Sequence, residues 1–192
     1  MRIISGNLRG SELYITKDKT TRPLKDLVRE SIFNLLTHSN KISFQLGRST
    51  VLDLYAGTGS FGLECLSRQA KNVYFIENEK ATLEILEKNI KKLKLRKKTK
   101  IFFNDVFNLI EKQNISESKF DLIFCDPPFK DTNIEKLIEL IVNRNLLNKD
   151  GIIILHRNKT TTEKLPNFFK IADERVYGIS KIIFVQLAAP LS

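Results

Sequence analysis

A carboxylate, two prolines and an aromatic ring stand in a row at Asp126-Pro127-Pro128-Phe129. They follow the apolar run 120–125, which is typical of a buried parallel strand. Pro128 has a fixed φ and biases Pro127 toward an extended conformation. Because neither proline has an N–H, the carbonyls of Asp126 and Pro127 are left to accept hydrogen bonds from another molecule. We therefore predict a pocket for a planar base, whose exocyclic amine donates to Asp126 and a carbonyl while its ring stacks on Phe129.

A glycine-rich turn lies upstream in residues 51–62, VLDLYAGTGSFG, which read as strand, turn and helix start. Gly57, Gly59 and Gly62 fit the spacing G-x-G-x-x-G, which lets the backbone approach a ligand near a helix N-terminus. Asp53 precedes these glycines at the strand end, where a carboxylate suits a cationic ligand better than a pyrophosphate. S-adenosylmethionine carries an ammonium and a sulfonium, so it fits this requirement.

Two further acids follow the next two apolar strands. Glu77 ends the strand 73–76 and stands 77 − 57 = 20 residues beyond Gly57, where a carboxylate can accept from both ribose hydroxyls. Asp105 follows 101–103, where it can accept from the adenine amino group. It can also cap the next helix, and the two roles do not exclude each other. The predicted cofactor contacts are Asp53, Tyr55, Gly57, Gly59, Glu77, Asp105 and Val106.

Together these motifs resemble those of class I S-adenosylmethionine-dependent methyltransferases that act on an exocyclic amine. The N-terminal segment is similar to the RsmD family in Met1-Arg2-Ile3-Ile4-Ser5-Gly6, Arg9-Gly10, Thr21-Arg22-Pro23, Asp26, Val28-Arg29-Glu30 and Phe33-Asn34. The resemblance implies methyl transfer from S-adenosyl-L-methionine to a guanine N2 amine in 16S ribosomal RNA, at position 966 as in the family. S-adenosyl-L-homocysteine is the implied product, and free RNA or a small-subunit particle the implied substrate. The predicted catalytic residues are Asp126, Pro127 and Phe129.

Three features depart from the family pattern. Leu24 stands where the family usually has threonine, and Leu27 where it usually has arginine. The strand after Gly151 usually ends in an acid, whereas here it ends in His156-Arg157. These departures concern individual contacts rather than the class of enzyme. We interpret His156, like His38, as a structural or surface residue.

The sequence leaves other functions open. A nicotinamide-dependent oxidoreductase would use the glycine motif and Glu77, but it leaves Asp53 and the segment 126–129 without a role. A methyltransferase fold that only binds RNA is a second alternative, against which the intact motifs argue. Among enzymes, the alternative is a DNA methyltransferase acting on adenine N6 or cytosine N4, and the N-terminal resemblance favours RNA.

Basic charge is concentrated in two parts of the chain, which has a net charge of +10 and a pI near 9.6. Residues 1–49 hold nine Lys/Arg and four Asp/Glu, and residues 91–100 hold seven basic residues and no acid. Such a balance favours a polyanionic partner. We interpret 91–100 first as a solvated helix end stabilised by the helix dipole. RNA phosphates are therefore predicted to contact the N-terminal arginines Arg2, Arg9, Arg22 and Arg29.

Length and composition predict one compact unit of 192 residues rather than a disordered or membrane protein. No apolar run approaches the length of a membrane span, and the N-terminus lacks the apolar core of a signal peptide. Cys65 and Cys125 are 125 − 65 = 60 residues apart and have no C-x-x-C partner, which indicates reduced cytosolic thiols. We therefore expect a cytoplasmic monomer that binds no metal and no membrane.

The elements that must position these motifs alternate along the chain. An N-terminal extension, residues 1–49, is predicted to contain a hairpin of 2–5 with 12–15 and a helix over 26–38. The core, residues 50–192, is predicted to have strands at 50–54, 72–77, 99–103, 120–125, 151–156, 168–176 and 180–187, and helices at 60–69, 79–95, 105–112 and 133–144.

This alternation predicts a Rossmann-like α/β fold with a mostly parallel sheet, right-handed crossovers and a final antiparallel hairpin. The family resemblance implies the same architecture, a class I methyltransferase sheet of seven strands whose last strand is reversed. The four motifs then lie at the carboxyl ends of strands, where sheets of this kind bind ligands.

Overall fold

The computed structural model describes residues 1–16, 26–112, 115 and 119–188, so Arg22 and Leu24 lie outside the described residues. The helices are α1 Asp26–His38, α2 Ser60–Ser67, α3 Lys80–Lys92, α4 Val106–Lys112 and α5 Ile134–Asn143, and Arg96–Lys98 forms a 3₁₀ helix. The strands are β1 Thr50–Asp53, β2 Asn72–Glu77, β3 Thr99–Phe103, β4 Phe120–Cys125, β5 Leu147–Asn158, β6 Phe169–Tyr177 and β7 Ser180–Leu187.

The seven strands form one sheet in the order β3-β2-β1-β4-β5-β7-β6. Strands β1 to β5 pair in parallel, and β7 is antiparallel to both β5 and β6. This confirms the predicted seven-stranded sheet with its reversed last strand. Because β1 lies between β2 and β4, the order of the strands changes direction there. A crevice therefore forms beyond the carboxyl ends of β1 and β4.

The central strands are apolar on both faces because helices cover both sides of the sheet. Alternate residues point to opposite faces, so Val51 and Phe124 join one buried cluster while Leu52 and Ile123 join the other. The ring of Phe61, near the start of α2, stacks on Phe124 with centroids 3.8 Å apart. This packing fixes the N-terminus of α2 beside the crevice.

Two bounds differ from the sequence prediction by more than two residues. Strand β5 begins at Leu147 rather than at residue 151, because its pairing with β4 continues through a register shift between Phe120 and Leu122. The turn-like composition of residues 148–151 hid this stretch. The helix predicted over 79–95 ends at Lys92, and the chain passes through Lys94, at a φ of 58°, into the 3₁₀ helix.

The N-terminal extension pairs with itself as an antiparallel bridge between Arg2 and Glu12. The N–H of Ile3 donates to the Ser11 carbonyl at 2.9 Å, and the Leu13 N–H donates to the Met1 carbonyl at the same distance. The hairpin is thus present in outline, although its residues form a bridge rather than two full strands. Helix α1 has the predicted bounds, 26–38.

Two buried polar side chains fix the extension to the core. Glu64 of α2 accepts hydrogen bonds from the N–H groups of Ile4 (2.7 Å) and Ser5 (2.9 Å). Asn89 of α3 accepts from the Tyr14 N–H at 2.8 Å and donates to the Tyr14 carbonyl at 3.0 Å. Both side chains are fully buried, so the extension and the core share one interior. Within the described ranges, none of the helices combines the length and apolarity needed to cross a membrane.

Candidate active site

A cleft of about 440 Å³ opens beyond the carboxyl ends of β1 to β5. The predicted residues that line it are Asp53, Tyr55, Gly57, Glu77, Val106, Asp126, Pro127 and Phe129. The cleft is also lined by residues that the sequence analysis did not assign to a site, among them Ile15, Thr16, Asn104 and His156. One cavity therefore brings together the glycine turn, the acidic strand ends and the segment 126–129.

Asp53 is the most deeply buried acid of the cleft, with 1% of its surface exposed. Its Oδ2 accepts a hydrogen bond from the Gly62 N–H at 3.1 Å, whereas its buried Oδ1 has no partner among the described residues. Burial raises the pKa of Asp53 to about 8, and the negative charges of Asp126 and Glu77 add to this effect. An unpartnered carboxylate oxygen is costly in such a place unless a cation pairs with it. The Asp53 carboxylate therefore fits a cationic ligand.

Glu77 holds the glycine turn against the end of β2. Its Oε2 accepts a hydrogen bond from the Gly57 N–H at 2.8 Å, and its Oε1 accepts from Asn78 at 2.9 Å and Glu79 at 2.8 Å. Gly57 has a φ of +56°, and a Cβ built on it would meet no heavy atom within 4 Å. The turn thus leaves open space on the cleft wall. That Glu77 also binds a ribose stays a prediction.

The other two glycines of the motif serve packing rather than the cleft. A Cβ on Gly59 would lie 2.4 Å from Cδ1 of Leu86, and one on Gly62 would lie 2.3 Å from Cε1 of Phe75. Gly59 also has a φ of +87°, which favours glycine, and the ring of Phe75 leaves no room for a side chain at Gly62. Gly59 is not among the residues that line the cleft, and its contact with the cofactor stays a prediction.

Asp105 caps α4 and does not line the cleft. Its Oδ1 accepts a hydrogen bond from the Asn108 N–H at 3.0 Å, which is the capping role that the sequence had left as an alternative. Its neighbours Asn104 and Val106 line the cleft instead. The Asn104 N–H donates to the Glu77 carbonyl at 3.1 Å and so holds this strand end beside β2. The sequence analysis did not assign Asn104 to the site because it selected strand-end residues by their negative charge, which an amide lacks.

The segment 126–129 lies beside the end of β5. Register between β4 and β5 pairs Cys125 with Leu155, which makes Asp126 and His156 neighbours. Oδ1 of Asp126 is 2.8 Å from Nδ1 of His156, and the Phe129 ring stands at 78° to the imidazole with centroids 5.3 Å apart. His156 is 4% exposed and lines the cleft. The interpretation of His156 as a structural or surface residue was therefore incomplete.

Comparison with known proteins shows the family of this chain. The family described as Conserved hypothetical protein 95 matches residues 1–186, which is nearly the whole chain. The chain belongs to this family.

Its relatives in the family confirm the resemblance to RsmD. The chain is 34% identical to the Ribosomal RNA small subunit methyltransferase D of Haemophilus influenzae over 93% of its length and 90% of that protein. Identity to the protein of the same name in Escherichia coli K12 is 32%, over 93% of this chain and 85% of the relative. A solved structure from Escherichia coli, the candidate methyltransferase yhhF, superposes with a TM-score of 0.84 at 26% identity and covers 98% of each chain.

The N-terminal arginines of this family member differ in their surroundings. Arg29 is fully buried, and its guanidinium donates to the Arg2 carbonyl at 2.5 Å and to Oδ1 of Asp26 at 3.0 Å. Burial contradicts the prediction that Arg29 contacts RNA phosphates, because it instead ties α1 to the N-terminal bridge. The side chains of Arg2 and Arg9 are exposed.

The described ranges contain no cluster of three or more His, Cys, Asp or Glu able to hold a metal ion.

Proposed function

We propose that this protein transfers a methyl group from S-adenosyl-L-methionine to the exocyclic N2 amine of a guanine in small-subunit ribosomal RNA. The observation that carries the proposal is the sharing of one cleft by the unpartnered Oδ1 of Asp53 and the carboxylate of Asp126. The Asp53 carboxylate can pair with a cation, and the Asp126 carboxylate can accept a hydrogen bond from an amine. Relatives named as small-subunit ribosomal RNA methyltransferases support RNA as the substrate class.

The residues around Asp53 fit the cofactor. Asp53 would pair with its ammonium, the open wall at Gly57 would admit it, and Glu77 would accept from its ribose. Asn104 and Val106 line the part of the cleft beside β3, where the adenine would lie. When bound, S-adenosylmethionine supplies an electrophilic methyl group on its sulfonium.

Asp126 and Pro127 prepare the amine. The lone pair of a guanine N2 amine is delocalised into the ring, which makes it a poor nucleophile. Hydrogen bonds from both amine hydrogens, to the Asp126 carboxylate and the Pro127 carbonyl, would pyramidalise the nitrogen and aim its lone pair. Positioning of this kind is worth effective molarities of roughly 10⁵ M or more. Phe129 would hold the ring by stacking, which is worth about 1–3 kcal/mol per base.

A proton must leave the nitrogen after its bond to the methyl carbon forms. Asp126 already accepts a hydrogen bond from that amine in this arrangement, so it can receive the proton and pass it to water. No strong base is required, because the alkylated amine is far more acidic than the amine before transfer. The target must be single-stranded or flipped out of a helix, since the groups that recognise it line a cleft.

A labelling experiment tests the proposal. Methyl-labelled cofactor is offered with small-subunit particles, naked 16S ribosomal RNA or duplex DNA, and the nucleic acid is digested to nucleosides. We expect label as N2-methylguanosine from the RNA. Label in DNA as N6-methyladenine or N4-methylcytosine would contradict the proposal and support the alternative methyltransferase. Asp126→Ala should reduce transfer at least about tenfold while leaving S-adenosylhomocysteine binding unchanged.

A further inference from the structure

We propose that His156 is the positioning residue of Asp126. It holds one carboxylate oxygen through Nδ1 and so reserves the other oxygen for the target amine. This inference rests on the proposed function, in which Asp126 accepts from that amine. It assigns a role to a buried residue of the cleft that the sequence alone had suggested to be structural or at the surface.

The contact between the two residues is built into the sheet. Strand β4 ends at Cys125, which pairs with Leu155 of β5, so the next residues of the two segments, Asp126 and His156, lie side by side. Their side chains are 19% and 5% exposed, respectively, and the joining distance is 2.8 Å. Because both side chains are largely buried, water competes little for this hydrogen bond. The bond therefore orients the carboxylate.

The chemistry of the pair decides which atom carries the proton. Two acceptors 2.8 Å apart would repel each other, so Nδ1 must hold a hydrogen when Asp126 is ionised. Nε2 of His156 is buried and has no hydrogen-bond partner within the described ranges. A doubly protonated ring would leave a charged N–H unpaired there, which is costly. The neutral ring with its hydrogen on Nδ1 therefore satisfies the site best.

The next residue holds the other end of the same loop. Arg157 is 2% exposed, its Nε donates to Oε1 of Glu163 at 2.8 Å, and its Nη2 donates to the Asp131 carbonyl. Residues 126–131 are thus held at their start by His156 and at their end by Arg157. The ring of Phe129 contacts the imidazole edge-on between these two points. His156 and Arg157, which are consecutive in β5, therefore hold both ends of the loop.

An ionised acid at position 156 could not donate this hydrogen bond. A carboxylate there would be a second acceptor facing Asp126, and like charges at this distance disfavour ionisation of both groups. A donor fixed by the sheet instead orients the Asp126 carboxylate. In this chain, His156 therefore holds Asp126, the proposed acceptor of the amine, through a hydrogen-bond donor.

Two substitutions separate positioning from simple structural support. His156→Phe keeps a ring against Phe129 but removes the donor, and we expect kcat for methyl transfer to small-subunit particles to fall about tenfold to a hundredfold. His156→Asn places an amide nitrogen close to the position of Nδ1 and should recover most of this loss. The affinity for S-adenosylhomocysteine, measured by calorimetry, should change less than about twofold in both. Full activity of the Phe variant, or equal losses in both folded variants, would overturn the proposal.

The bond itself can be tested without any substrate. The chain has two histidines, and His38 is exposed, so nitrogen NMR of the imidazoles needs one assignment variant, His38→Gln. We expect His156 to carry its hydrogen on Nδ1 and to lose this preference in Asp126→Ala, which removes the acceptor. A hydrogen on Nε2 in the wild type would overturn the inference even if the His156 variants fail to fold. Absence of any RNA methylation by the wild type would instead count against the proposed function.

Discussion

The carboxyl group of Asp53 is almost completely buried, and burial raises its pKa to about 8. It is therefore mostly protonated at pH 7 before a cation binds, and it must ionise to pair with an ammonium. Binding of S-adenosylmethionine at pH 7 should release on the order of one proton, and affinity should rise by up to about tenfold per pH unit below pH 8. Calorimetry in buffers of different ionisation enthalpy counts these protons. Asp53→Asn should abolish the release, whereas Asp105→Asn, which alters an acid outside the cleft wall, should not. An equal proton count in wild type and Asp53→Asn would contradict this assignment.

Gly57 allows a second test at the scale of one residue. Alanine at this position would carry the strain of a positive φ and would place a Cβ in space that no protein atom fills. Gly178 has a similar φ of +63° and equally open surroundings, but it lies between β6 and β7, outside the cleft. Both alanine variants should lose about 1–2 kcal/mol of stability. Only Gly57→Ala should weaken binding of S-adenosylhomocysteine, and equal affinities in the two variants would place the cofactor elsewhere.

At the scale of elements, the junction between the N-terminal extension and α3 is the feature most open to test. Asn89 bonds both backbone groups of Tyr14, and it donates to the Thr58 carbonyl at 3.0 Å. Asn89→Ala would leave buried backbone groups unpaired at a cost of about 1–3 kcal/mol each. We expect a loss of at least about 2 kcal/mol in denaturant unfolding and faster hydrogen exchange at the Tyr14 amide. The exposed Asn143→Ala should stay within about 0.5 kcal/mol of wild type. Equal stability of the two variants would show that this junction is not an anchor.

Local patterns predicted some elements better than others. Helix α1 was predicted at its observed bounds because its apolar residues recur on one face from Val28 to Leu36. The start of β5 was missed because Asp150-Gly151 has the composition of a turn, while pairing with β4 carries the strand through it. Tertiary pairing overrode local propensity at that point.

The whole molecule was predictable in outline because alternating strands and helices with right-handed crossovers leave few possible topologies. The sequence also predicted which strand ends meet, since parallel strands present their carboxyl ends at one edge. It did not predict the contact of His156 with Asp126, which joins positions 30 residues apart through two neighbouring strands. Nor does a count of charges show that the guanidinium of Arg29 is enclosed.

Charge at the scale of the molecule gives a prediction for RNA affinity. Arg2 and Arg9 are exposed on the N-terminal extension, and the basic segment 91–100 offers a second exposed surface. The logarithm of affinity for 16S ribosomal RNA should fall steeply with the logarithm of salt concentration. Arg2→Gln and Arg9→Gln should each flatten the slope by about 0.7–0.9, while Lys97→Gln should not. A slope that changes only in the Lys97 variant would move the RNA contact to 91–100.

The central claim is that this cleft methylates a guanine N2 amine in small-subunit ribosomal RNA through Asp126. The most direct measurement is mass spectrometric mapping of methylated bases in ribosomal RNA from a strain that lacks the gene. We predict that one N2-methylguanine of the 16S RNA disappears, that the wild-type gene restores it, and that a folded Asp126→Ala variant does not. Unchanged methylation of the 16S RNA in the deletion strain, or full restoration by Asp126→Ala, would contradict the claim.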